Sequence, residues 1–140
     1  MESQAGQSLL TIVGALVLAT LVALAGSQHG VTVGGLPVFA LCAVVCFVIQ
    51  WLAYVPAYMQ QTEHYYDLTG SLTYLLVIGL AALAGGLAAP NLLLLVLIAI
   101  WAIRLGSFLF RRVRAAGQDV RFANLKTRPI RFFMTWTLQG

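Results

Sequence analysis

No lysine or arginine occurs in the first 103 residues of this chain. All eight basic side chains follow: Arg104, Arg111, Arg112, Arg114, Arg121, Lys126, Arg128 and Arg131. Three of the four acids, Glu2, Glu63 and Asp67, stand in the first 103 residues, and those residues are otherwise largely apolar. A soluble domain averages about 25% charged residues, against 9% here. Hydrophobic residues make up 61%, and the mean hydropathy is +0.91. A chain this poor in charge cannot cover a water-facing surface, so a bilayer is the solvent it requires. The expected fold is all-α, a multi-spanning bundle forming a single transmembrane domain over 1–140.

Four apolar runs reach the roughly 20 residues that cross a bilayer: Leu9 to Ala25, Pro37 to Met59, Ser71 to Ala89, and Asn91 to Phe110. A fifth starts at Phe132 and runs nine residues to Gly140. As a helix it covers about 13 Å, less than half the hydrocarbon core. It reads as the cut start of a fifth span in a longer protein, ahead of the alternative of an aromatic-rich anchor lying in the interface. Ala23-Leu24-Ala25 before Gly26 has the small residues of a signal cleavage site. However, Met1 to Gln7 carries Glu2 and no basic residue, whereas a signal begins positively charged. A retained first span is therefore expected.

Short turns make neighbouring helices antiparallel. Gly79, Ala82, Gly85 and Gly86 have the spacing of a small-residue helix interface. Pro56 removes one helical hydrogen bond and is expected to kink the second helix. Asp67 or Thr69 is the expected cap of the third. Cys42 and Cys46 share one helix face, with no histidine or third thiolate to complete a metal site. They read as packing thiols.

An excess of lysine and arginine marks the cytoplasmic side of a membrane protein. The basic segment 111–131 is therefore expected inside, with the N-terminus and the Gln60 to Gly70 loop. The Gly26 to Gly35 and Ala88 to Asn91 turns are expected outside. Membrane lipids, and not nucleic acid, are the expected partners of arginines that flank a span. The first three spans hold no ionised side chain in their middles, which argues against an ion-coupled transporter.

Two polar clusters stand out. Gln60 to Gly70 contains Glu63, His64, Tyr65, Tyr66 and Asp67, which offer proton donors and acceptors. The same residues suit an ordinary polar loop with an interfacial aromatic belt. The second cluster is Arg104, Ser107, Phe108 and Arg111, which form one stripe on the fourth helix. Arg104 lies about 9 Å before Phe110 by helix rise. A charge at that depth faces protein, a water-filled cavity, or snorkels to the lipid phosphates. Arg112, Arg114, Asp119 and Arg121 follow. A guanidinium binds phosphate as a planar fork. From charge alone a dinucleotide pyrophosphate, a 2′-phosphate and anionic lipid headgroups fit equally.

The stretch Arg104-Leu-Gly-Ser-Phe-Leu-Phe-Arg-Arg-Val-Arg, followed by Gly117-Gln-Asp-Val-Arg-Phe122, resembles the steroid 5α-reductase-like superfamily, in particular its bacterial members. Tyr66-Asp-Leu-Thr-Gly-Ser-Leu-Thr-Tyr74 and Trp136-Thr-Leu-Gln-Gly140 are similar to the same group. The likeness covers Phe47 to Gly140. It implies a multi-pass enzyme of the bacterial inner membrane that reduces a carbon–carbon double bond conjugated to a carbonyl, using NADPH. It further implies a lipid-like or steroid-like substrate entering sideways from the membrane. Arg104 and Phe108 would hold the cofactor, with Arg111, Arg112, Asp119 and Arg121 at the same cytoplasmic mouth.

Two departures accompany the likeness. The family places a Gln-Glu pair against the substrate carbonyl; here Gln50 matches the first, and Trp51 stands in place of the acid. The polarising acid is then either missing or supplied by another residue, with Glu63 and Tyr66 the nearest candidates for catalytic residues. The family's second half carries an Asn-Pro-x-Tyr-type motif that completes the NADPH pocket, and these 140 residues hold none. The pocket is therefore expected to be incomplete here, with a missing C-terminal half as a partner. The alternative is a non-catalytic membrane protein whose basic segment binds anionic lipid or a partner protein.

Overall fold

The computed structural model describes residues 2–117 and 119–140, without the side chains of Glu2, Ser3 and Val120. It is all-α apart from one small hairpin. The elements are α1 (Glu2–Gly26), β1 (Thr32–Val33), β2 (Leu36–Pro37), α2 (Val38–Met59), α3 (Tyr66–Gly85), α4 (Ala89–Ala116), a 3-10 turn (Val120–Phe122) and α5 (Pro129–Gln139). Among the described residues, four helices are long and apolar enough to cross a membrane: Gln4–Gly26, Val38–Met59, Tyr66–Gly85 and Ala89–Ala116. α3 starts five residues before the expected Ser71, and α4 runs past Phe110 to Ala116. Polar turns outside a bilayer continue a helix that an apolar run does not reveal. At 28 residues, α4 is about 42 Å long and outreaches a hydrocarbon core of about 30 Å.

α4 packs on α3, α3 on α2, and α5 lies between α1 and α2. Most of the apolar surface faces outward; Leu52 and Leu83 are 68% and 78% exposed. Exposure on that scale is stable only where hydrocarbon replaces water. The dense core sits at one end, where Ala57, Phe122, Phe132 and Trp136 are buried together under Tyr54, Tyr58 and Tyr66. This is the end that carries the basic residues, called the basic end below. Lipid solvates apolar side chains as well as another helix does, so close burial develops where the connecting segments must cover the bundle.

α5 runs antiparallel beside α2. Tyr54 Oη donates to the Pro129 carbonyl at 3.3 Å, and Trp51 Nε1 donates to Thr137 Oγ1 at 3.1 Å. Gly140 ends against Phe47, the middle of α2. The helix therefore stands upright in the bundle, and the alternative of an anchor lying in the interface is corrected. α1 also belongs to the bundle, packed on α5 and α2.

Two local expectations are revised. α3 and α4 approach closely at Gly106, where an added Cβ would lie 2.6 Å from Ser71 Cβ. Gly79, expected in a small-residue interface, would meet nothing within 4 Å, although Ala82 is buried. Neither Asp67 nor Thr69 caps α3. Its N-cap is Tyr65, with no side-chain cap, and Thr69 Oγ1 donates to the Tyr65 carbonyl at 2.7 Å. At the opposite end, β1 pairs antiparallel with β2. Its turn is Gly34-Gly35, at φ 59° and 82°. Both signs suit a tight primed turn that glycine adopts without strain.

Candidate functional site

Two segments cross over the basic end: the connection from α2 to α3, and the segment from α4 to α5. Charge ties them together. The Glu63 carboxylate is wholly buried and accepts the Asp119 backbone N–H at 2.8 Å and Lys126 Nζ at 2.9 Å. Asp119 accepts Arg121 Nε at 2.9 Å and the Arg121 backbone N–H at 2.9 Å. Arg112 stands 4.0 Å from Asp119, and Arg121 also reaches Asp67 at 3.3 Å.

The electrostatics follow from these contacts. Burial pushes the Glu63 carboxyl up, but the hydrogen bonds from Lys126 and Asp119 outweigh it and hold it below the ordinary range. The Arg121 guanidinium holds Asp119 low, and Asp119 in turn raises Arg121. His64 joins the same segments. Its Nε2 lies 3.0 Å from the Gly117 carbonyl and its Nδ1 2.6 Å from Thr62 Oγ1. A carbonyl only accepts, so neutral His64 carries its proton on Nε2 and accepts from Thr62.

Tyr66, at the start of α3, donates its hydroxyl to the Thr135 carbonyl at 3.0 Å. Its ring lies 4.8 Å from Phe122 and 5.1 Å from Trp136, centre to centre. Glu63 and Tyr66 are thus both engaged with the protein itself. The polar loop of the second cluster's counterpart is a clasp in which each of these groups has an internal partner.

The α4 stripe is placed elsewhere. Arg104, Ser107, Phe108 and Arg111 are exposed on the face opposite the buried Ala102, Gly106 and Val113. With Trp101 and Leu105, Arg104, Phe108 and Arg111 of the stripe line a groove of about 360 Å³ whose walls come from α4 alone. Arg111 Nε donates to the Ser107 carbonyl at 3.1 Å. Arg104 forms no ion pair among the described residues. The single mouth expected from the sequence is therefore two features. Arg112, Asp119 and Arg121 belong to the clasp, while Arg104, Phe108 and Arg111 face away from the chain's own helices.

Gln50 is wholly buried between α2 and α3. Its Nε2 donates to Thr73 Oγ1 at 3.0 Å, and the Thr73 hydroxyl donates to the Thr69 carbonyl at 2.8 Å. That chain fixes the amide's orientation and leaves Gln50 Oε1 buried with no partner. Gln50 lies more than two helical turns before Met59, deep in the apolar part of α2, whereas Glu63 lies beyond the end of that helix. The two do not converge. Trp51 turns to α5, its ring tilted against Phe47 and Phe133 at 5.8 and 5.9 Å between centres.

Gln139 was not singled out from the sequence. Its Nε2 donates to the Tyr66 carbonyl at 3.1 Å, and its Oε1 is buried and unpartnered. The resemblance alone pointed to Gln50; a polar amide inside an apolar segment is a signal that could have found both Gln50 and Gln139. No group of three His, Cys, Asp or Glu side chains that could hold a metal occurs among the described residues.

The model of a family described as "Protein of unknown function (DUF1295)" matches residues 53–140. No curated protein and no solved structure matches the chain.

Proposed function

The chain belongs to the DUF1295 family, and from that premise we propose that it forms part of a membrane-embedded, NADPH-dependent reductase acting on a double bond conjugated to a carbonyl in a lipid-like or steroid-like molecule. The matched stretch contains the clasp, the α4 stripe and α5, but not Gln50. The ordered motifs that resemble the steroid 5α-reductase-like superfamily support the same reading. We place the basic end and the N-terminus in the cytoplasm, on the positive-inside rule, and the protein in a bacterial inner membrane, on that resemblance.

One observation carries the proposal: Arg104 and Arg111 stand on one exposed face of α4 with Phe108 between them, and neither guanidinium meets a carboxylate among the described residues. Two such forks suit the phosphates of a dinucleotide. NADPH, when bound, supplies the hydride. The groove fits phosphate contact but does not enclose a dinucleotide, because one helix gives all its walls. A second surface packed on α4 completes it. Arg112, Asp119 and Arg121 hold one another and brace the segment below, and Glu63 and Tyr66 brace it in the same way. Gln50 takes the substrate role on the resemblance alone; it is wholly buried between α2 and α3, so a substrate meets it only where those helices part.

The test is NADPH binding by the protein in lipid nanodiscs, read by quenching of tryptophan fluorescence. Arg104→Ala is expected to weaken binding at least tenfold, the scale of one lost charge-assisted contact, and Arg114→Ala to leave it unchanged. Absence of NADPH binding by the unaltered protein, with a complete partner half supplied, sinks the reading. The second reading is a non-catalytic protein that binds anionic lipid, and it is favoured by the excess of unpaired arginines at one end. It expects Arg111 and Arg114 to matter together and Arg104 little.

A further inference from the structure

Glu63, Asp67 and Asp119 are the acids whose side chains are described, and each is taken by a cation of this chain: Lys126, Arg121 and Arg112. Arg128 and Arg131 meet no carboxylate among the described residues. They line one cavity of about 280 Å³ where the start of α1 meets the start of α5. Ala5, Pro129 and Ile130 give it apolar walls. Gln4 Oε1 accepts from Arg128 Nη1, which holds that guanidinium towards α1; its other side-chain N–H groups have no acceptor among the described residues.

We infer that this cavity binds the phosphate of one anionic phospholipid. Two planar forks within a single cavity recognise phosphate oxygens. The candidate span of α1 is counted from Gln4 and its apolar run starts at Leu9, so the cavity, at Gln4 and Ala5, stands at the level where a bilayer's headgroups meet hydrocarbon. Leu9 and Leu10, one to two turns further along α1, are exposed at 51% and 74%. A ligand with an anionic head and acyl chains therefore meets charge at the cavity and apolar surface beside it. Free phosphate would use the arginines and leave the apolar walls in water. α5 adds a smaller contribution: it begins at Pro129 with no side-chain cap, so its first N–H groups favour an anion. The site is separate from the α4 stripe and does not depend on the reductase reading.

The experiment is native mass spectrometry of the whole chain in detergent, titrated with phosphatidylglycerol or phosphatidylcholine. One phosphatidylglycerol should be retained per chain, at least about tenfold more tightly than phosphatidylcholine. Arg128→Gln with Arg131→Gln should remove the preference. Arg131→Gln alone, which keeps the Arg128–Gln4 hydrogen bond, should reduce it, with helicity by circular dichroism confirming the fold. Arg111→Gln with Arg114→Gln, outside the cavity, should keep it. Equal retention of the two lipids overturns the inference. So does an equal loss in the Arg111 and Arg114 variant, which would mean general charge attraction, and so does displacement of the lipid by millimolar inorganic phosphate.

Discussion

Glu63 Oε2 lies 2.9 Å from Lys126 Nζ, joining positions 63 residues apart. The carboxylate is wholly buried and the lysine side chain 20% exposed. The pair fastens the connection between α2 and α3 to the segment that leads into α5.

Lys126→Met leaves the Glu63 carboxylate buried with the Asp119 N–H as its remaining partner. Removing one member of a buried pair costs about 3–5 kcal/mol, and the partial exposure of Lys126 brings the expectation to about 2–3 kcal/mol. Glu63→Gln keeps one carbonyl acceptor for one of the two donors; it should still cost less, because it leaves no carboxylate charge buried and the partly exposed Lys126 can turn to water. Denaturant-induced unfolding in detergent micelles measures both; an effect of Lys126→Met no larger than that of Glu63→Gln would count against the buried pair.

Acid should loosen the same clasp. Glu63 and Asp119 are both held below the ordinary carboxylate range. A depressed folded pKa gives stability that is present above the unfolded value, about 4, and is lost as pH falls through the folded value. Arg121 is raised and keeps its charge throughout this window. Melting temperature should therefore be level from about pH 7 to pH 5 and decline below about pH 4. Asp119→Asn should lower the plateau and shrink the acid-dependent part of the decline.

Gly106 and Gly79 should respond oppositely to alanine. A Cβ at Gly106 would sit 2.6 Å from Ser71 Cβ, so α3 and α4 must part, at about 1–3 kcal/mol. A Cβ at Gly79 meets nothing within 4 Å, and alanine should add up to about 1 kcal/mol through helix propensity. Thermal unfolding of the two variants decides this, and equal effects would contradict the placement of the helix contact.

Trp51→Phe removes the hydrogen bond to Thr137 while keeping an aromatic ring against Phe133. Thr137 Oγ1 still donates to the Phe133 carbonyl, so the cost should be about 1 kcal/mol. The loss should be local. Hydrogen exchange should show earlier opening of α5 with α3 unchanged.

The spans were legible because their determinant is one-dimensional. An unbroken apolar run long enough to cross hydrocarbon specifies a helix wherever its neighbours lie. The clustering of arginine and lysine in one part of the chain was equally plain, and so was the stripe of Arg104, Ser107, Phe108 and Arg111, since helical spacing alone creates it. Gln50 could be noticed as an amide in an apolar run, although its bond to Thr73 could not.

Tertiary structure decided which faces meet. Lipid-facing and buried positions of these helices are apolar alike, so no periodicity separates Gly106, where an added Cβ would strike α3, from Gly79, where it would meet nothing within 4 Å. The same reason hid the upright seat of α5 between α1 and α2. The ion pairs of Glu63, Asp67 and Asp119 join segments distant in sequence, and only the crossing of two connections over the basic end brings them together. That crossing divides the arginines. Some are neutralised inside the clasp, and Arg104, Arg111, Arg128 and Arg131 meet no carboxylate among the described residues, a division that charge counting along the chain does not contain.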